Sequence, residues 1–215
     1  ISNYGLLAIP LFMVVGEIMN NGGITTRLVG IARAFIGTMH GGLVYINVLA
    51  NMLMASILGS ATAQISIMSK VMVPEMTKQG YSKEFAVATT AASGLLSPII
   101  PPSMMFVVYG VLAQISIGDL FIAGIVPGLM MAGGFIAVIF TIGLLRPYPQ
   151  APELTRNIRF KMIKQGAITL IIPVSIIGSI IGGFATPTES AAIASVIAYI
   201  IGRFVTKEFD HKKIP

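Results

Sequence analysis

A long stretch without charged residues, 43–69, most constrains what this chain can fold into. Its apolar residues are interrupted once, by the small, hydroxyl-rich run Gly59-Ser60-Ala61-Thr62-Ala63-Gln64. The apolar arms on either side are each too short to cross about 30 Å of hydrocarbon at about 1.5 Å per helical residue. Two short arms joined by a polar tip predict a helical hairpin over residues 41–80 that enters the membrane and returns.

A second interruption follows in the next apolar segment, residues 81–115. Three prolines lie within residues 97–103 of that segment. Because proline removes a backbone donor and pushes the preceding residue out of the helical region, we predict a membrane-spanning helix broken in two. Irregular backbone at membrane depth is tolerated only where protein or a water-filled cavity surrounds it. Two such breaks close together in the chain therefore indicate a transport site.

Composition supports an all-α integral membrane protein that lies in a lipid bilayer. The chain is 55% hydrophobic with a mean hydropathy of +0.87, and 10% of its residues are charged, whereas about a quarter are charged in soluble domains. The net charge of +6 does not indicate nucleic acid as a partner, since the basic residues lie between apolar segments. An enzyme is also disfavoured, because His40, His211, Asp119 and Asp210 are all predicted outside the hydrocarbon, leaving no nucleophile and base pair.

The segments around the two breaks complete a predicted multi-helix topology. They are a scaffold helix at 1–23, an interfacial arm helix at 24–40, a transmembrane helix at 116–145, a cytoplasmic loop at 146–164, two transmembrane helices at 165–205 and a cytoplasmic tail at 206–215. The chain has 14 Lys and Arg residues in all. This topology places every one of them except Lys70 on one side of the membrane. Basic residues cluster on the cytoplasmic side, so the hairpin is predicted to open towards the cytoplasm.

The polar residues at the two breaks have the chemistry of a cation site. The end of a helix offers unpaired carbonyls to a hard ion such as Na⁺, and the start of a helix offers N–H groups to a carboxylate. Side-chain oxygens would come from Ser56, Ser60 and Thr62 on the hairpin and from Ser97 and Ser103 at the broken helix. The alternative is that these small residues simply allow close packing of helices.

Five further polar residues leave alternatives open. Asn47 and Asn51 lie four residues apart on one helical face, where they can hydrogen-bond to the broken helix or join neighbouring helices. Glu17 and Glu189 stand near helix ends and are expected to be interfacial or capping residues. Lys70 lies within the returning arm, where it can snorkel, pair with an acid or contact an anionic substrate.

Several motifs, in this order and spacing, give the chain a resemblance to a known family. They are Pro10-Leu11-Phe12, Gly16-Glu17, Gly59-Ser60-Ala61-Thr62-Ala63, Pro74-Glu75-Met76, Gly80-Tyr81, Ser97-Pro98-Ile99-Ile100-Pro101-Pro102-Ser103, Tyr109-Gly110, and the segments 120–128 and 186–192. The sequence resembles the DctM-type large membrane subunit (M subunit) of tripartite ATP-independent periplasmic (TRAP) transporters, which belong to the ion transporter superfamily.

This resemblance implies an elevator-type secondary transporter, a symporter that imports carboxylates such as C4-dicarboxylates or sialic acid and is driven by a Na⁺ gradient. It implies a small membrane subunit (Q-type) and a periplasmic substrate-binding protein as partners, a bacterial or archaeal inner-membrane location, and no cofactor beyond the coupling ion Na⁺. Carried onto this sequence, the first Na⁺ site and the adjoining substrate site would comprise Gly59, Ser60, Ala61, Thr62, Gly94, Ser97, Pro98, Ile99, Pro101, Pro102 and Ser103.

The family has two inverted repeats, each with one hairpin and one broken helix. Because this chain holds one of each, we expect it to be a fragment that covers about the first repeat and lacks the second Na⁺ site. Two alternatives stay open: a single-component Na⁺/anion symporter of the same superfamily, and a membrane scaffold that does not transport.

Overall fold

A computed structural model of the chain describes residues 7–37, 39, 41–149 and 155–206. Within these residues the regular elements are helices, which confirms the predicted all-α class. The helices are α1 Ala8–Asn21, α2 Ile24–Ile36, α3 Gly42–Leu58, α4 Ala61–Lys78, α5 Lys83–Gly94, α6 Met104–Ala113, α7 Ile117–Leu145, α8 Arg156–Ala167, α9 Ile171–Ile181 and α10 Pro187–Ile200, followed by a π-helical turn, Ile201–Thr206. The beginning of the predicted scaffold helix, His40 and the tail from residue 207 lie outside the described part.

Local capping signals fix where several of these helices begin. The Ser82 hydroxyl accepts a hydrogen bond of 3.3 Å from the third N–H of α5. The Ser116 hydroxyl does the same for α7, also at 3.3 Å. Each bond satisfies an N–H group that has no partner within the helix.

The start of α10 is a reciprocal cap that explains Glu189. The Thr186 hydroxyl accepts from the Glu189 N–H at 3.3 Å, and the Glu189 carboxylate accepts from the Thr186 N–H at 2.8 Å. The backbone N–H of Thr186, followed by its hydroxyl, lowers the pKa of this carboxyl below its ordinary value. Glu189 is thus a capping residue, one of the expectations for it.

Helix α3 lies at the centre of the packing and contacts α1, α2, α4, α5, α7 and α9. Its buried residues cover most of its circumference, and the partly buried ones, such as Tyr45, Leu49 and Ser56, lie along one side. A helix that is apolar all round is expected to be surrounded, which is the position that α3 occupies. The first hairpin arm is therefore the core of this chain.

One helix in the described part is long and apolar enough to cross a membrane by itself. This helix, α7, has 29 residues and a mean hydropathy of 2.2 in its most apolar window. Helices α8 and α9 qualify only when taken together, and they are bent by 42° at the break between them. Helices α1, α3 and α6 are apolar but shorter.

The prediction of a loop at 146–164 is wrong for its second half, because α8 begins at Arg156. This helix packs against α2, where the Arg159 guanidinium donates to the backbone carbonyls of Ala34 and Phe35. The segment is rich in Arg, Lys, Met and Gln, which are good helix formers, but its charge made it resemble a loop. Helix α8 is also stabilised by its contacts with α2, which lies far earlier in the chain. Arg159 and Ala34, for example, are 125 residues apart.

The span predicted to start at Gln165 is also interrupted, at residues 168–170. Pro173 is the third residue of α9. It has no N–H to donate to the carbonyl of Thr169, and its ring crowds that carbonyl, so a continuous helix through this point is unfavourable. The Thr169 hydroxyl donates to the Gly166 carbonyl at 2.6 Å, which stabilises the turn between the two helices.

Candidate functional site

The tip of the hairpin is a two-residue break between α3 and α4. Gly59 adopts the left-handed conformation, with φ 60° and ψ 3°, and Ser60 is extended. A residue with a Cβ disfavours the left-handed conformation, so glycine suits this position. The break brings the last carbonyls of α3 next to the first N–H groups of α4, and these are the backbone groups that lack partners within a helix.

The second break separates α5 from α6 and is held by Ser103. The Ser103 hydroxyl donates to the Pro98 carbonyl at 2.7 Å and accepts from the Phe106 N–H at 3.4 Å, so it both closes the loop and caps α6. The peptide bond between Pro101 and Pro102 is cis. The predicted interruption of the helix in this segment is confirmed.

The two breaks lie directly against each other. A Cβ atom added to Gly59 would stand 2.9 Å from the Met104 nitrogen and 3.1 Å from the Pro102 carbonyl oxygen. On the other side, Gly94 packs so closely on Ile65 of α4 that an added Cβ would collide with it. Small residues thus allow the hairpin tip to meet the broken helix backbone to backbone, and the ends of four helices converge there.

The predicted hydroxyls are not equivalent in this arrangement. The Ser97 side chain is fully buried, and its hydroxyl has no hydrogen-bond partner. The Ser60 and Thr62 hydroxyls stand 3.2 Å apart at the tip. The Ser56 hydroxyl donates to the carbonyl of Leu53 in its own helix at 2.7 Å. Because a buried hydroxyl without a partner is unfavourable, Ser97 is, among these predicted hydroxyls, the one that most needs a ligand.

A chain of buried amides continues from the tip into the core. Asn47 donates to the Thr90 hydroxyl of α5 at 2.8 Å, which is the bond to the broken helix that the sequence anticipated. Asn51 instead donates to the Asn47 side chain at 2.9 Å and accepts from Gln64 of α4 at 3.0 Å. These four side chains are all fully buried. Neither Gln64 nor Thr90 was among the predicted site residues, although an amide in a charge-free apolar segment was a signal for Gln64.

Two other polar residues lie apart from this network. Lys70 is exposed on α4, and its role stays a prediction. Glu17 accepts a hydrogen bond of 3.1 Å from Asn21 at the end of α1, a local contact that fits an interfacial residue.

The groups that converge at the breaks are carbonyls, hydroxyls and amides. In the described part no cluster of three or more His, Cys, Asp or Glu residues could hold a metal ion. Neutral oxygen donors of this kind suit a hard cation of low charge, since soft ligands and multiple carboxylates are characteristic of other metals. The first N–H groups of α4, which have no acceptor within the helix, are of the kind that can bind an anion.

Helices that are broken at a polar site are typical of membrane transport proteins. The family model described as "Tripartite ATP-independent periplasmic transporter, DctM component" matches residues 1–215. The chain belongs to this family, which confirms the resemblance seen in the sequence. Its members are transporter permeases rather than enzymes.

Individual relatives agree with this assignment. The chain is 38% identical over 205 residues to the sialic acid TRAP transporter large permease protein SiaM of Vibrio cholerae, covering 95% of this chain and 48% of the relative. It is 37% identical over 206 residues to the 2,3-diketo-L-gulonate TRAP transporter large permease protein YiaN of Escherichia coli, covering 96% of this chain and 48% of the relative.

A C4-dicarboxylate TRAP transporter large permease protein, DctM of Vibrio cholerae, is 35% identical over 206 residues, with 96% and 46% of the two chains covered. The chain therefore spans about half the length of these relatives.

Proposed function

We propose that this chain forms part of the permease of a Na⁺-coupled carboxylate symporter in the bacterial or archaeal inner membrane. Na⁺ binds where the hairpin tip meets the broken helix, and the carboxylate binds beside it. Several of the helices cross the membrane, with the hairpin entering it from the cytoplasmic side. The contact of Gly59 with Pro102 and Met104 carries this proposal, because it joins two irregular segments, which are tolerated at membrane depth only where protein or a water-filled cavity surrounds them.

The ligand groups follow from the geometry of the breaks. Ser97 offers the buried hydroxyl without a partner, and Ser60 and Thr62 offer hydroxyls at the tip. Backbone carbonyls at the ends of α3 and α5 supply further oxygens. The remaining predicted residues, including Ala61, Ile99 and Pro101, contribute backbone rather than side-chain atoms. Ser103 acts by closing the break, since its hydroxyl is already engaged at both ends.

The carboxylate class rests on three relatives, which are named for sialic acid, C4-dicarboxylate and 2,3-diketo-L-gulonate, whereas a fourth is named for isethionate, a sulfonate. All three substrates carry a carboxylate, the group that a helix start can bind. The tripartite family implies a small membrane subunit and a periplasmic binding protein as partners. An elevator movement would carry the hairpin and the broken helix together, consistent with the buried amide chain that joins α3, α4 and α5.

The two alternatives differ in what they require. A single-component symporter is disfavoured by membership of a tripartite family, and deletion of the binding protein would abolish import under our proposal. A scaffold that does not transport would need neither the buried Ser97 hydroxyl nor the contact between the breaks.

Replacing Ser60 and Ser97 by Ala in the full-length permease, assembled with its partners, tests the site. Loss of an oxygen that contacts a charged ligand costs about 1.5–3 kcal/mol. We therefore expect the Na⁺ concentration for half-maximal uptake to rise about tenfold or more. Uptake of a radiolabelled carboxylate, assayed over a range of Na⁺ concentrations, measures this half-maximal concentration.

Ser195→Ala is the matched control, because the Ser195 hydroxyl bonds to the Ala191 carbonyl in its own helix, at 2.9 Å. This variant should retain the normal Na⁺ dependence. An unchanged Na⁺ dependence in the Ser60 and Ser97 variants would contradict the assignment.

A further inference from the structure

Helix α8 combines strong positive charge with exposed apolar side chains. Its 12 residues include Arg156, Arg159, Lys161 and Lys164 and no Asp or Glu. Almost every residue of this helix is exposed, including Ile158 and Phe160, whose exposed fractions are 47% and 70%. Large apolar side chains exposed next to basic ones mark a surface with a partner.

One face of α8 is already occupied by α2. Gly166 packs closely on Ile31, and Arg159 donates to the carbonyls of Ala34 and Phe35 at the end of α2. A cation at a helix C-terminus is favourable, so these contacts fix the rotation of α8 about its axis. The faces on either side of this contact are the ones that remain open.

The open apolar side chains form a stripe beside the α2 contact. Phe160, Ile163 and Ala167 follow one another at i, i+3 and i+7, which places them on one side of the helix. Phe160 and Ile163, together with Arg156, Asn157 and Arg159, line an open groove of about 570 Å³. Lys161 and Lys164 lie further round the helix and are exposed. The two lysines thus lie on a face next to the apolar stripe, whereas Arg156 shares the groove with Phe160 and Ile163.

We propose that α8 lies in the headgroup layer of the membrane and that its groove binds an anionic phospholipid. Phe160 and Ile163 contact the upper acyl chains, while Arg156 and the two lysines contact the phosphates and acidic headgroups. Interfacial helices carry basic side chains beside an apolar stripe in this way.

Two observations favour a lipid over a protein as the occupant of this groove. The helix carries four cations without an acidic residue, which matches the uniform negative charge of a bilayer surface. Helix α8 also leads, through the 42° bend, into the apolar helix α9. The last turn of α8 therefore lies at the edge of the hydrocarbon.

Hydrogen–deuterium exchange of the full-length permease in lipid nanodiscs tests this inference. One set of discs contains phosphatidylcholine alone, and the other contains phosphatidylcholine with phosphatidylglycerol. We expect the backbone of residues 156–167 to exchange about fivefold or more slowly in the anionic discs, and this difference should disappear in high salt. Lys161→Gln with Lys164→Gln should remove most of the difference. Phe160→Ser should weaken protection in both kinds of disc.

The matched control is Lys78→Gln with Lys83→Gln, which removes two exposed basic residues elsewhere in the chain. It should leave the lipid-dependent protection of α8 intact. Equal exchange in the two kinds of disc at low salt would overturn the proposal. Protection that appears only when the small membrane subunit is added would also overturn it, because the surface would then bind protein.

Discussion

At the scale of single residues, Thr90 shows how one hydroxyl connects two helices. It accepts from Asn47 at 2.8 Å and donates to the Ala86 carbonyl of its own helix at 2.7 Å. The other acceptor near the Asn47 side-chain nitrogen is the Met76 sulfur at 3.7 Å, which is a weak acceptor. The bond to Thr90 therefore largely satisfies a buried donor.

Replacing Thr90 by Val should destabilise the protein because it leaves the Asn47 amide buried without a good acceptor. We expect the free energy of unfolding to fall by about 1–3 kcal/mol. Thermal unfolding of the purified full-length permease in detergent measures the change.

Thr89→Val is the control, since the Thr89 hydroxyl bonds only to carbonyls of its own helix, at 2.8 and 3.2 Å. Thr89→Val should lower the free energy of unfolding less than Thr90→Val does. Equal effects of the two substitutions would show that the bond to Asn47 adds no stability.

At the scale of elements, the junction of the hairpin with the broken helix depends on Gly59. An alanine there would occupy the left-handed region at a cost of about 1–2 kcal/mol. Its Cβ would also press on the Met104 nitrogen at 2.9 Å and separate the two breaks. We expect Gly59→Ala to reduce Na⁺-dependent uptake by the full-length permease about tenfold.

The control for this prediction is Gly133→Ala in α7, because nothing lies within 4 Å of a Cβ at that position. Uptake assays normalised to the amount of permease in the membrane compare the two variants. Normal uptake by the Gly59 variant would show that close contact between the breaks is unnecessary.

The helices also show which structural features can be predicted from the local sequence. Helix starts at Ser82 and Ser116 were predictable because a cap acts within three residues. The Pro-rich break was predictable for the same reason, since proline acts on its immediate neighbours. Helix α8 was missed because the contacts of Arg159 and Gly166 with α2 join residues far apart in the chain.

At the scale of the whole molecule, the sequence predicted that the two breaks would meet but not which buried side chains would bond beside them. The sequence indicated that two breaks would act together, and the contact of Gly59 with Pro102 and Met104 fits this prediction. It did not indicate that Gln64 would bond to Asn51, because the pairing depends on how α3 and α4 pack. Nor did the sequence indicate that the Ser97 hydroxyl would lack a hydrogen-bond partner while the Ser56 hydroxyl would bond within its own helix.

The central claim is that Na⁺ binds where the hairpin tip meets the broken helix, and a cysteine reporter tests it most directly. These 215 residues contain no cysteine, and Ala63, exposed beside the tip, is outside the proposed ligand set. Ala63→Cys in the full-length permease is labelled with a maleimide in Na⁺ or in K⁺ at equal ionic strength. We expect labelling several times slower in Na⁺ than in K⁺, and we expect Ser97→Ala to shift this protection to higher Na⁺ concentrations. Equal labelling rates in the two salts would contradict the central claim.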